Sequence, residues 1–154
     1  MRVRFARTEP LPTYLVAFAA GDFKAETATR GGRTMRMFHR EHDGAKVARN
    51  RGAIFDLHAH ALDFMERYTG IPYAFGKFDF VAEPSFQFSG MEHAGNILYR
   101  ASSLLLDESA TQDALLKRAE VIAHETAHMW FGNLVTMRWF DDVWTKEVFA
   151  NFMA

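Results

Sequence analysis

The spacing of apolar residues changes several times along the chain, and each change marks an element. Tyr14 to Ala20 is an apolar run rich in β-forming residues, closed by Gly21-Asp22, and predicts a strand. Ala25 to Arg30 and Arg33 to His39 are short pieces separated by Gly31-Gly32, a pair suited to a hairpin turn. Near Glu41-His42-Asp43-Gly44 the period changes. Val47, Ile54, Leu57, Ala61, Leu62, Phe64 and Met65 then recur at helical spacing as far as Tyr68, with Gly70 and Pro72 as a stop. Residues 77–100 return to strand signals: Lys77 to Val81 alternates, Pro84 interrupts, and Ile97-Leu98-Tyr99 is a second short run. Ser109, three residues before Gln112, has capping-box spacing and predicts a helix over Thr111–Phe131, ended by Gly132-Asn133. A last helix is predicted from Asp141-Asp142, whose charge suits a helix N-terminus, to the final residue.

Composition narrows the class. Of 154 residues, 49% are hydrophobic and 24% charged, which excludes a disordered, collagen-like or coiled-coil chain. Eighteen Lys and Arg against nineteen Asp and Glu leave a net charge of −1, so there is no electrostatic footprint for nucleic acid. The absence of cysteine removes any disulfide framework or thiolate metal site. It suits the cytoplasm but also secreted or periplasmic enzymes, and the compartment stays open. No apolar run reaches the length of about eighteen residues that spans a membrane. Met1-Arg2-Val3-Arg4 lacks the apolar core of a signal peptide. The chain stops at Asn151-Phe152-Met153-Ala154 with no cap and no polar tail, the pattern expected of a cut.

The chemistry is concentrated in His124-Glu125-Thr126-Ala127-His128, an H-E-x-x-H motif inside a predicted helix. Residues four apart share a helical face, so both imidazoles can turn to one ion. Glu125 is offset by roughly 100° and stands beside that ion, within reach of a water but not itself a ligand. Zinc with two His needs a third ligand and an open position, and Glu147 on the next predicted helix is a candidate. Leu115, Ala119, Ile122 and Trp130 would form the apolar stripe of the motif helix. His39, His42, His58 and His60 have no such context and read as ordinary histidines.

The segment from His124 to Ala150 resembles the zinc region of peptidase family M1, the gluzincin aminopeptidases of aminopeptidase N and leukotriene hydrolase type. The likeness includes Trp130-Phe131-Gly132-Asn133-Leu134-Val135-Thr136, Trp139, Asp141-Asp142, Trp144 and the Glu-x-Phe-Ala at Glu147. Upstream, Ser89-Gly90-Met91-Glu92-His93 is similar to the family's Gly-Ala-Met-Glu-Asn signature, whose Glu holds the substrate's free α-amino group. Thr8 to Phe18 with Gly21-Asp22-Phe23 resembles the last strand of the family's N-terminal β domain. The resemblance implies Zn2+ on His124, His128 and Glu147, Glu125 as the proton-transferring residue, and Glu92, Met91 and Gly90 at the substrate. Ser89-Gly90 and His93 depart from the signature and bear on substrate preference. Lys146 and Val148 stand where the family often has Asn and Gly. The family's oxyanion-stabilising Tyr lies downstream of the third ligand and is not in this chain.

The expected fold is α+β: residues 1–42 as the end of a β domain, then residues 43–154 as the first part of a thermolysin-like catalytic domain carrying the motif on a helix. The expected activity is removal of N-terminal amino acids from peptides with a free amino terminus, by metal-activated water. The alternatives are epoxide opening of leukotriene hydrolase type on the same metal, or a catalytically incompetent binding domain. The 154-residue piece alone is expected to be inactive and to self-associate through the apolar face of its last helix.

Overall fold

The computed structural model describes residue 4 and residues 6–154, so the reading of Met1-Arg2-Val3 lies outside the described residues. Strands β1 (Lys24–Arg30) and β2 (Arg33–His39) form the expected hairpin, with Gly31-Gly32 as its two-residue turn and Arg30 opposite Arg33. Helix α1 (Gly44–Thr69) follows. The Asp43 side chain accepts from the backbone N–H groups of Ala45 and Lys46 at 2.9 and 3.1 Å, satisfying two donors that the first turn leaves free. Gly70 ends the helix in the left-handed conformation (φ 69°), which glycine adopts without a Cβ penalty.

The chain re-enters the sheet at β3 (Phe78–Glu83), passes through the two-residue β4 (Gly90–Met91), and returns in β5 (Ile97–Arg100). The spatial order is β1-β2-β3-β5-β4, with β2, β3 and β5 parallel and an antiparallel strand at either edge. The pairs Met35–Phe78 and Ala82–Tyr99 and the row Met37–Phe80–Ile97 lie in register on one face. That face packs against Val47, Ile54, Phe55, Leu62 and Met65 of α1, and against Ile122 and Ala127 of α3 (Gln112–Ala127). The architecture is α+β, with the helices over the central strands. A short α2 (Ala101–Leu104) and the final α4 (Val143–Met153) complete it.

Several expectations are corrected. Residues 14–20 form no strand: Thr13–Leu15 is a single 3-10 turn with the Leu15 N–H on the Pro12 carbonyl, and Val16 and Phe18 are exposed. A strand needs a partner for its backbone groups, and this run has none among the described residues. The alternation over 77–81 does not divide β3 into a buried and an exposed face, since Phe78 to Ala82 are all buried. Its Asp79 is covered by Arg36 and Lys77, which donate to its carboxylate at 2.6 and 3.1 Å. The Ser109 capping box does not form. Thr111 caps α3 instead, accepting from the Ala114 N–H at 3.2 Å. The predicted stripe is interrupted as well, because Leu115 is exposed.

Helix α3 stops at Ala127, not Phe131. The N–H groups of Met129 and Trp130 bond only three residues back, to Thr126 and Ala127, and those of Asn133, Leu134 and Val135 bond five back to His128, Met129 and Trp130, so the four-residue ladder ends there. Strand β2, before residues 42 and 43, is hydrogen-bonded to β3, which follows them.

Candidate metal and catalytic centre

The end of α3 carries the motif, and the turn after it orients the second histidine. His128 is buried, and its Nδ1–H donates to the Phe131 carbonyl at 2.9 Å, which leaves Nε2 bare and fixes the ring. His124 Nε2 lies 3.0 Å from His128 Nε2. Helix α4 lies beside α3 and brings Glu147 Oε2 to 3.4 Å from His124 Nε2 and 3.5 Å from His128 Nε2. Three electron-pair donors therefore face one point. Atoms held tetrahedrally at 2.0–2.1 Å from a common ion stand about 3.3 Å apart, and the observed edges bracket that value. The donor set, two imidazoles and a carboxylate, suits a divalent cation. The Lys146 ammonium, which donates to Glu147 Oε1 at 2.6 Å, favours the ionised carboxylate.

Glu125 is buried beside this point, and its Oε2 has no hydrogen-bond partner. Burial raises its carboxyl well above the ordinary range, and the nearby carboxylates of Glu92 and Glu147 add to the effect. An orphaned buried carboxylate costs stability and is retained where it has work to do. Its neighbour in space is Gly90 on β4. A β-carbon there would come within 2.6 Å of Glu125 Cδ, so the bare glycine is what admits the carboxylate.

Beyond Gly90, Met91 is half-buried and pairs with Leu98 across β4 and β5. Glu92 is buried at the strand's end. Asn133 Nδ2 donates to its backbone carbonyl at 2.7 Å, and Lys146 Nζ donates to its Oε1 at 2.5 Å. Burial opposes ionisation of Glu92, but the bonded Lys146 ammonium favours it, and its pKa is lowered. The fold thus gathers Gly90, Glu92, Glu125, His124, His128 and Glu147 from β4, α3 and α4.

Two participants escape a reading of the sequence. Lys146 reads there only as a neighbour of a ligand, yet it pairs with both Glu92 and Glu147. Tyr14 reads as a strand residue, yet its hydroxyl lies 3.5 Å from Glu92 Oε1 and its ring 5.4 Å from Lys146 Nζ. No local pattern signals either contact. The four histidines outside the two signatures lie apart. His58 is fully buried, His39 is buried against the Glu41 N–H, and His42 and His60 are exposed.

Residues 54–154 match the Peptidase family M1 domain. Over 98% of its length the chain is 39% identical to a puromycin-sensitive aminopeptidase of Caenorhabditis elegans, covering 16% of that protein. It is 37% identical to a leucyl aminopeptidase of Saccharolobus solfataricus, over 97% of this chain and 19% of the relative. It is 41% identical to endoplasmic reticulum aminopeptidase 2 of Bos taurus, over 97% of this chain and 15% of the relative. The chain thus spans less than a fifth of the length of each of these relatives.

Proposed function

This chain belongs to peptidase family M1, and from that premise we propose that the protein carrying it is a zinc aminopeptidase that removes N-terminal residues from peptides. The observation that carries the reading is the convergence of His124, His128 and Glu147 on one point, with an unpartnered Glu125 carboxylate beside it. A zinc ion held by those three side chains would supply Lewis acidity toward the scissile carbonyl and toward the attacking water. Glu125 accepts the proton of the attacking water and passes it to the leaving amine, a task suited to a carboxyl whose pKa burial raises.

Glu92 receives the substrate's α-ammonium. A carboxylate fixed one residue's reach from the scissile carbonyl distinguishes a chain end from a chain middle. Strand β4 is the sheet edge, so its outer backbone groups are free to align a peptide main chain. Met91 and Gly90 flank the position of the first side chain. The aminopeptidase names of the relatives favour peptides over epoxide opening.

The helix-borne motif beside a mixed sheet supports a thermolysin-like catalytic portion. The division from an upstream β domain is best drawn before β1, between Gly21 and Lys24, because the hairpin belongs to this sheet. The test is cleavage of an aminoacyl-anilide by the intact protein. Free-amine substrate should be cleaved, its N-acetylated form should not, and activity should vanish on chelation and return with zinc. Equal cleavage of both substrates refutes the aminopeptidase reading, and chelator-insensitive cleavage refutes the metal.

A further inference from the structure

Glu147 is the least restrained of the candidate ligands. Its side chain is 45% exposed, against 18% for His124 and 1% for His128. What limits its rotation is the residue before it. Lys146 has only 8% of its side chain exposed, and its stem lies across Gly132, where a β-carbon would meet Lys146 Cδ at 3.1 Å. Successive residues on a helix point about 100° apart, so only a long side chain can curl back to its neighbour while also reaching a strand. Lys146 does both. Its Nζ donates to Glu147 Oε1 at 2.6 Å and to the buried Glu92 Oε1 at 2.5 Å. The two oxygens of Glu147 are thereby divided: Oε1 belongs to the ammonium, and Oε2 faces the imidazoles.

We propose that Lys146 is a positioning residue that ties the third metal ligand to the substrate anchor, holding Glu147 in its ligating orientation from the buried Glu92 carboxylate. The inference rests on the metal site assigned above and goes beyond it. Asn, often found at this position in the family, has no charge with which to bridge two carboxylates.

The test is the zinc affinity of the intact protein, read by competition with a chelator of known affinity. Lys146→Met keeps most of the stem and removes the ammonium. Zinc binding is expected to weaken by about 10–100-fold, the range for losing a partner that orients a ligand, and Lys146→Arg is expected to restore most of it. Because Met leaves Glu92 buried without its cation, Lys146→Met combined with Glu92→Gln is measured alongside, removing both charges. The weakening should persist there, since Glu147 still lacks its donor. Affinity within about twofold of wild type in either folded variant overturns the proposal and leaves the ligand set standing. Failure of the wild-type protein to bind zinc overturns the ligand set itself.

Discussion

Lowering the pH should destabilise this fold through one core histidine, and the structure fixes the sign and size of the effect. His58 is 0% exposed and stacks on Phe80 with ring centres 4.0 Å apart. Its Nδ1–H donates to the Ile54 carbonyl at 2.8 Å, and its Nε2 accepts from the Tyr99 hydroxyl at 3.1 Å. Both nitrogens are satisfied in the neutral ring. A second proton on Nε2 would face the Tyr99 O–H and leave that hydroxyl to find another acceptor in the core. Burial accordingly pushes the His58 pKa from 6.5 down to about 4.

The unfolded chain, with His58 near its ordinary value, binds more protons between those limits. The His58 contribution is therefore complete above pH 6.5 and is lost as pH falls toward 4. At about 1.4 kcal/mol per pH unit, the loss approaches 3 kcal/mol, on the order of magnitude of the whole margin of a small domain. The assay is urea unfolding followed by circular dichroism at closely spaced pH values from 7 to 4. The control is His58→Phe combined with Tyr99→Phe, which removes the titrating group and the hydroxyl it would orphan. The double variant should be flatter over this window by about that amount. An identical slope in wild type and double variant would refute the reasoning, and so would an NMR titration placing the His58 pKa near 6.5.

Glu125→Gln should leave zinc at about one per chain by elemental analysis and lower kcat by at least about a hundredfold, because only the proton acceptor is removed; loss of zinc would show that Glu125 is a ligand. Glu92→Ala, assayed with zinc saturating, should reduce kcat/KM for free-amine peptides by the equivalent of about 2–5 kcal/mol, and should weaken zinc binding less than Lys146→Met does, because Lys146 keeps its bond to Glu147. The reverse pattern in steady-state kinetics and metal titration would mean the anchor is misassigned. Asp43→Ala, which deletes the cap of α1, should lower stability by about 1 kcal/mol in urea unfolding without changing KM.

Local features of this protein were legible in its sequence wherever a short stretch of chain sets its own geometry. The Gly31-Gly32 turn, the span of α1 and the stop at Gly70 depend on neighbours a few residues apart. The shared face of His124 and His128 follows from helical periodicity alone. The same locality explains the misreadings. Tyr14 to Ala20 has the composition of a strand, but composition does not supply a partner strand. Ser109 and Thr111 are both able caps, and it is Thr111 that accepts from the helix N–H.

What the sequence leaves silent is the matching of distant groups. That Lys146 meets Glu92, and that Tyr14 lies against both, requires α4, β4 and the segment before β1 to be docked together. That Asp79 and His58 are buried in what looks like half-exposed pattern requires knowing which strands and helices cover them. Such pairs are decided by the packing of sheet and helices, where the burial of apolar faces sets the positions of the elements and the polar side chains settle with whatever partners then lie within reach.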